Sequence, residues 1–472
     1  MPHRLPFPAM LRVNPRLAPA DLQARIDRLW TVSAEKLRRL VSRYDLAQGS
    51  PVFTREGRYV TQGWTEWTLG FHFGSALLQF DATGDEGFLE IGRTGTAEHL
   101  VNYLTHTGVH DHGFNIVSTF GNLWRLVQEG RIAAAPWELR WYETALRCSA
   151  AVQAHRWTPL PEGGFIHSFN GPHSLFADTM RTLRVLALGH LLGHVLLEEE
   201  DRRVSLLERL LQHARSTCRY SVYYGSGRDI YDVRGRVAHE VIFNVRTGTF
   251  RCPSSQQGWS PWTTWTRALA WVLLGCAEQL EFLSLLPDDL PEFGGRKESI
   301  LDELREAAQA TADYYIASSP ANGIPYWDTQ APGLARLPEP GENPADPFND
   351  QEPVDSSAAA IAAQGLLRLG RFSEQAGSLE EAERYRQAGL TVAAALLNPP
   401  YLSEDLEHEG LLLHAVYHRP RGWDHVPPGR RVPCGEATQW GDYHLRELAL
   451  YLQRLAENGP YLTFWANQAL ER

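Results

Sequence analysis

Six times along this chain a polar turn carrying Trp or Asp runs into an apolar helix rich in small residues. Six charged amphipathic helices alternate with these. The apolar stretches begin at Trp67 (WTLGFHFGSALLQF), Asp111 (DHGFNIVSTFGNLWRLV), Asp178 (DTMRTLRVLALGHLL), Trp265 (WTRALAWVLLGCAEQL), Asp355 (DSSAAAIAAQGLLRL) and Trp440 (WGDYHLRELALYLQRL). The charged ones are read over 20–44, 86–104, 137–154, 201–218, 296–317 and 379–397. Gly and Ala let helices approach closely, so the first set belongs inside. Salt-bridging faces put the second set outside. The alternation predicts an all-α fold, an (α/α)6 toroid or six-hairpin barrel. The turns before the inner helices then gather at one end as a cleft, where helix N-termini offer free N–H groups and partial positive charge.

The exceptions to helix are few. The run 242–250 (IFNVRTGTF) has a Thr-Gly turn and predicts a small β-hairpin inserted ahead of Gln257. The segment 337–353, rich in Pro, Glu and Asp, reads as a long surface loop near the cleft. No interdomain linker stands out, so 1–472 is expected to be one domain with a short N-terminal extension.

A net charge of -11 argues against nucleic acid or an anionic membrane as partner. It leaves room for a small anionic substrate, because a local Arg and His can set the field inside a cleft. The 15 tryptophans exceed ordinary usage, as in sugar-binding clefts and in large helical cores. Cys148, Cys218, Cys252, Cys276 and Cys434 are scattered, odd in number and without metal spacing. They read as reduced, buried thiols of a cytoplasmic protein. The N-terminus lacks the apolar core of a signal peptide, and no run reaches the roughly 18 apolar residues of a membrane span.

The chemistry-bearing residues sit in the polar turns. Arg267 and Trp271 are four apart and share a face at the start of one helix, and Gln257 lies on the loop before it. A guanidinium, an amide and a flat indole are what holding an acidic sugar requires. The other reading is a surface arginine and a core tryptophan. Asp111 and Asp178 open neighbouring inner helices. Each alone reads as an N-cap. Facing each other, two carboxylates would push one pKa up and give a proton donor near neutral pH. His239, before the strand arm, reads as structural or ligand-binding. His110 and His112 form an H-x-H pair with no further ligand at metal spacing, so no metal is expected. Asp355 reads as the cap of an inner helix packed by alanines. There is no G-x-S-x-G elbow, P-loop or dinucleotide fingerprint.

Taken in order, WTLGFHFG, HDHGF, the Asp178-Thr-Met helix start, GWSPWTTWTRALAW, GIPYWD, DSSAAAIAA, GLLLHAVYHRP and WGDYH are specific. From about Trp64 to Leu452 the chain resembles glycoside hydrolase family 88, the unsaturated glucuronyl hydrolases. The resemblance implies an (α/α)6 barrel without metal or cofactor. It implies that Asp178 is the general acid and base, Asp111 its essential partner, and His110, His239, Gln257, Arg267 and Trp271 substrate contacts. Trp67, with Trp64 as its rival, would be a stacking platform. The implied substrate is an oligosaccharide from a polysaccharide lyase, ending in a 4,5-unsaturated uronate, handled by a monomer or weak homodimer. Phe169 stands where the family has a larger aromatic, and SPWTTW replaces a more acidic loop. By its place just before the last inner helix, 419–438 would border the cleft mouth, where Arg421, Arg430 and Arg431 read as merely solvated or as meeting a sulfate on the leaving sugar. Three alternatives keep much of the pattern. A sugar epimerase on the same toroid leans on a pair of catalytic histidines at inner helix ends, where aspartates stand here. An unsaturated rhamnogalacturonyl hydrolase acting on pectin fragments shares fold and chemistry, though HDHGF, GDYH and the length favour the glucuronyl type. A non-catalytic sugar-binding toroid would keep the tryptophans but need not keep both aspartates.

Overall fold

A computed structural model of the protein describes residues 11–63, 67–338 and 343–465. Helix accounts for 53% of the described residues. Six helices carry the apolar sequences: α2 (Leu69–Thr83), α4 with α5 (His112–Ile116 and Asn122–Gln128), α7 with α8 (Thr179–Thr182 and Arg184–Leu191), α10 (Thr266–Ser284), α12 (Ser356–Gln375) and α14 (Gln439–Ala456). The second and third are broken, the second by a π turn over Val117–Gly121 and the third at Leu183. The charged helices are α1 (Gln23–Arg43), α3 (Glu86–His99), α6 (Pro136–His155), α9 (Leu206–Tyr220), α11 (Lys297–Ser318) and α13 (Leu379–Leu396). The predicted helix over 201–218 starts late, because 203–205 is spent on a strand.

Helix starts follow their capping residues. Asp85, Ser205, Asp355 and Thr438 accept backbone N–H groups of α3, α9, α12 and α14. Thr68 precedes α2 without capping it, and Gly84, at φ +72°, closes α2 in the left-handed conformation.

The apolar helices touch in sequence: α2 packs on α4, α4 on α7, α7 on α10, α10 on α12, α12 on α14, and α14 on α2. Small residues set the approach. At Gly365 of α12, a Cβ would lie 3.0 Å from the Leu274 backbone nitrogen of α10. Buried charge fills part of the space between these helices. Arg181 pairs with Glu278 of α10 at 2.5 Å and Glu447 of α14 at 2.7 Å. Leaving either partner alone there would cost several kcal/mol, about 3–5.

The strands among the described residues form four small antiparallel sheets: β1 (Pro51–Arg55) with β2 (Arg58–Thr61), β3 (Trp157–Leu160) with β4 (Gly163–Ile166), β6 (Val195–Leu197) with β7 (Arg203–Ser205), and β5 (Ser174–Phe176) with β8 (Glu240–Asn244) and β9 (Thr249–Ser254). The predicted hairpin is β8–β9, turning at Gly248 (φ +67°). The links divide into two kinds. Gly84 and Asp85 alone join α2 to α3, and 376–378 join α12 to α13. By contrast 221–265 lie between α9 and α10, and 397–438 between α13 and α14. No described helix is long and apolar enough to cross a membrane. The cysteines are free; Cys252 is exposed, against expectation, because β9 is the edge strand of its sheet and faces water along most of its length.

Candidate active site

The long links meet in a pocket lined by Trp67, Phe114, Trp271, Tyr417 and Trp423 among its aromatics, with His110, Asp111 and Asp178 as its titratable core. Asp111 and Asp178 occupy the N-cap positions of α4 and α7, yet neither side chain caps its helix. The capping reading therefore fails for both. Their carboxylates turn to one imidazole: His110 Nε2 lies 3.7 Å from Asp111 Oδ1 and 3.7 Å from Asp178 Oδ1. At that length the contact is ionic rather than a hydrogen bond. The Asp178 Oδ1 and both His110 nitrogens are buried with no hydrogen-bond partner among the described residues.

Electrostatics divides the pair. Burial pushes Asp111 up to about 6; His110 opposes the rise and the Asp178 charge adds to it. Burial also works on Asp178, but His110 outweighs it and holds this carboxyl below its ordinary value. Burial disfavours charge on His110, yet Asp111 and Asp178 together raise its pKa. Packed this closely, the three groups titrate together rather than singly.

Sequence-distant elements build this convergence. Strand β5 hands Asp178 to α7, and the backbone N–H of Ala177 bonds the His239 carbonyl at 2.9 Å, beside the β5–β8 pairing. The strand arm read from sequence is thus what fixes Asp178. Arg156, at the end of α6, donates to the carbonyls of Thr107, His167 (3.2 Å) and Ser168 (2.8 Å). It ties the turn before His110 to the loop carrying Phe169, whose ring stacks on His110 at 5.9 Å.

The other expected contacts divide. Trp67 is half-buried, stacks on Trp440 at 4.9 Å and lines the pocket; its rival Trp64 lies outside the described residues. Trp271 forms the floor, packed on Phe114 at 4.8 Å and His444 at 4.9 Å. Gln257 lines the pocket as expected. Arg267 also lines it, but its guanidinium is occupied: it donates to Asp355 Oδ2 (2.9 Å), Gln257 Oε1 (3.1 Å), the Tyr417 carbonyl (2.7 Å) and the Val416 carbonyl. Arg267 therefore also braces the pocket wall, because the four-residue spacing gives the face but not the acceptors already waiting there. Asp355 keeps its expected cap, Oδ1 accepting from Ser357 N at 3.1 Å, while its other oxygen takes Arg267.

His239 stands behind the pocket wall, its ring 4.5 Å from Phe176 and 4.7 Å from Trp265. Its Nδ1 accepts from the backbone N–H groups of Gln256 (3.1 Å) and Gln257 (3.3 Å), so it positions the Gln257 loop. Two N–H donors on Nδ1 place the ring proton on Nε2. The H-x-H pair separates, since His112 uses both nitrogens, on Ser149 Oγ (2.7 Å) and the His106 carbonyl (2.9 Å). The cluster with ligand-like proximity is His110, Asp111 and Asp178, whose donor atoms lie within 4.8 Å of one another. Sequence spacing does not reveal it, because Asp178 arrives from another helix. Sequence reasoning also passes over Tyr417, His418 and Trp423. Only the aromatic content of a polar loop ahead of an inner helix marks them. His418 is buried with both ring nitrogens unpartnered among the described residues, and burial pushes its pKa down to about 3.

No protein-family model matches the chain. An unsaturated glucuronyl hydrolase of Bacillus sp. (strain GL1) is 26% identical over 412 residues, covering 84% of this chain and 89% of that protein. An unsaturated chondroitin disaccharide hydrolase of Streptococcus pyogenes serotype M1 is 24% identical over 407 residues, covering 84% of each. The crystal structure of an unsaturated glucuronyl hydrolase from Streptococcus agalactiae matches with a TM-score of 0.68 at 19% identity, over 98% of this chain and 99% of that one, a likeness of fold. Related in sequence along most of its length and alike in fold, the chain is similar to unsaturated glucuronyl hydrolases.

Proposed function

We propose that this protein is an unsaturated glucuronyl hydrolase. It releases the 4,5-unsaturated uronic acid from the nonreducing end of lyase-generated oligosaccharides, of glycosaminoglycan or related origin, by hydrating the vinyl ether double bond. The observation that carries the reading is the convergence of Asp111 and Asp178 on His110 at 3.7 Å each, beneath an aromatic pocket. The six contacting apolar helices would close an (α/α)6 toroid around it, as one catalytic domain.

Asp178 delivers a proton to C4 of the ring. The π electrons form the C4–H bond and leave oxocarbenium character at C5. Water adds to C5 and returns its proton to Asp178, so one carboxylate serves as acid and then base. The resulting hemiketal opens and expels the rest of the sugar. The glycosidic bond is lost without attack at C1, so carboxylate separation does not set inverting or retaining stereochemistry. Before substrate binds, His110 holds Asp178 below its ordinary value while burial raises Asp111. A uronate entering beside Asp178 excludes water and adds like charge, and both raise its proton affinity. His110 lies between the two carboxylates. Trp67 and Trp271 supply ring faces, and Gln257, held by Arg267 and His239, supplies an amide for hydroxyls.

None of these steps calls for a metal or cofactor. The odd, scattered cysteines support a cytoplasmic setting, and we take the protein as a monomer or weak homodimer. The test is loss of ultraviolet absorbance from the conjugated double bond of a lyase-made disaccharide. Asp178→Asn should slow it by at least about a hundredfold, the share of acid–base catalysis, with substrate binding kept. Near-wild-type turnover in that variant would remove Asp178 from its role.

A further inference from the structure

The loop that carries Gln257 holds two indoles that the pocket does not use. Trp259 is 54% exposed and Trp262 43% exposed. Gln257 and Trp265 line the pocket, and the two exposed indoles lie on the short loop between them. The loop that presents them is firmly braced. Gly258 N–H donates to Ser255 Oγ at 2.9 Å, Trp259 N–H to Asp328 Oδ2 at 2.8 Å, and Thr263 Oγ1 to Asp328 Oδ2 at 2.9 Å. The Tyr231 ring, itself 37% exposed, lies 5.4 Å from Trp262 at an interplanar angle of 31°. Apolar rings of this size normally end in the core or at a recognition surface. Here a fixed backbone holds them out to water, which serves recognition and not folding.

We propose that Trp259, Trp262 and Tyr231 form a carbohydrate-binding platform for the second and later sugar rings of a longer oligosaccharide. Indole faces stack on the C–H faces of pyranose rings. A sugar chain is the occupant because the loop that carries both indoles begins and ends on residues that line the pocket in which its terminal ring is held. The inference rests on the hydrolase reading above and extends it from the terminal sugar to chain length.

The test uses Trp262→Ala, Trp259→Ala and the double variant of the full chain. The substrates are an unsaturated disaccharide and a tetrasaccharide of the same repeating unit. With the disaccharide, kcat/KM should stay within about twofold of the parent; with the tetrasaccharide it should fall about tenfold, mainly through KM, as expected for loss of an aromatic anchor. Equal effects on both substrates, or none on either, overturn the platform. Calorimetric titration with the tetrasaccharide in the Asp178→Asn background separates this from the functional reading. If the parent protein hydrolyses neither substrate, the hydrolase reading falls, and the platform stands or falls on whether Trp262→Ala weakens tetrasaccharide binding about tenfold. Self-association of the parent that the double variant abolishes, with sugar binding unchanged, would assign the surface to a second copy and overturn the proposal.

Discussion

Gly113 of α4 lies so close to Thr182 of α7 that a Cβ there would stand 2.1 Å from the Thr182 carbonyl oxygen. The first turns of the two helices are pressed together, and this brings Asp111 and Asp178 to one imidazole. Gly113→Ala should therefore cost about 1–3 kcal/mol of stability by overpacking. It should also lower kcat about a hundredfold by moving one carboxylate relative to the other. Thermal melting and disaccharide turnover check both. A lower Tm with intact kcat would show that the carboxylates do not depend on this contact.

Asp111 offers a test independent of turnover. Its folded pKa of about 6 lies above the ordinary 3.8. Below about pH 4 the group is protonated folded or unfolded, and the native state gains from the favoured proton. That gain is lost as pH rises through about 6, at about 1.4 kcal/mol for each pH unit that separates the folded and unfolded values. Asp111→Asn should thus raise Tm at pH 8 relative to the parent and leave it nearly unchanged at pH 4, while abolishing turnover. A Tm difference independent of pH would show that Asp111 is not the raised group.

Removing Arg267 should damage binding and folding together. Arg267→Ala is expected to lose roughly 1.5–3 kcal/mol in kcat/KM and to lower Tm, because Gln257 loses its anchor and Asp355 its buried cation. Arg267→Lys restores charge without the fork, so Tm should recover further than kcat/KM. A fall in Tm alone would make Arg267 purely structural.

Activity should be unchanged by EDTA and by dithiothreitol. The measurement has force because the donor atoms of His110, Asp111 and Asp178 lie within 4.8 Å of one another and would suit a cation sterically. Inactivation by the chelator, reversed by one divalent ion, would turn this cluster into a metal centre.

Arg421, Arg430 and Arg431 should bear on sulfated leaving groups unequally. The Arg421 guanidinium lies 5.2 Å from the Trp423 ring, which lines the pocket, whereas Arg430 donates to the Phe348 carbonyl at 2.7 Å. Replacing all three by Gln should lower kcat/KM for a sulfated unsaturated disaccharide more than for its unsulfated partner, with Arg421 carrying most of the change. An unchanged ratio would end the idea even if both rates fell.

The fold is legible where a polar turn meets a small apolar helix. The helix starts at Asp111, Asp178, Trp265 and Asp355 can be read to the residue, because polar turn and small apolar helix leave one register. The β1–β2, β3–β4 and β6–β7 pairs escape such a reading; their short strands have no alternation long enough to separate them from loop. At the site, residue types are legible and their pairings are not. Arg267 stands out in the sequence, but its acceptors come from 257, 355, 416 and 417, which only the closed fold assembles. His112 has the spacing of half a metal pair, and only the fold shows that Ser149 and His106 claim its nitrogens.

The unequal links between helices also say how such a molecule can change. The two-residue and three-residue joints after α2 and α12 leave little to vary without disturbing the packing of their helices. The long segments 221–265 and 397–438 supply Gln257, Tyr417, His418 and Trp423 and span between helix ends already held elsewhere. Grafting the long segments of one such enzyme onto the helices of another should transplant preference for a polymer while leaving the host's melting behaviour largely its own.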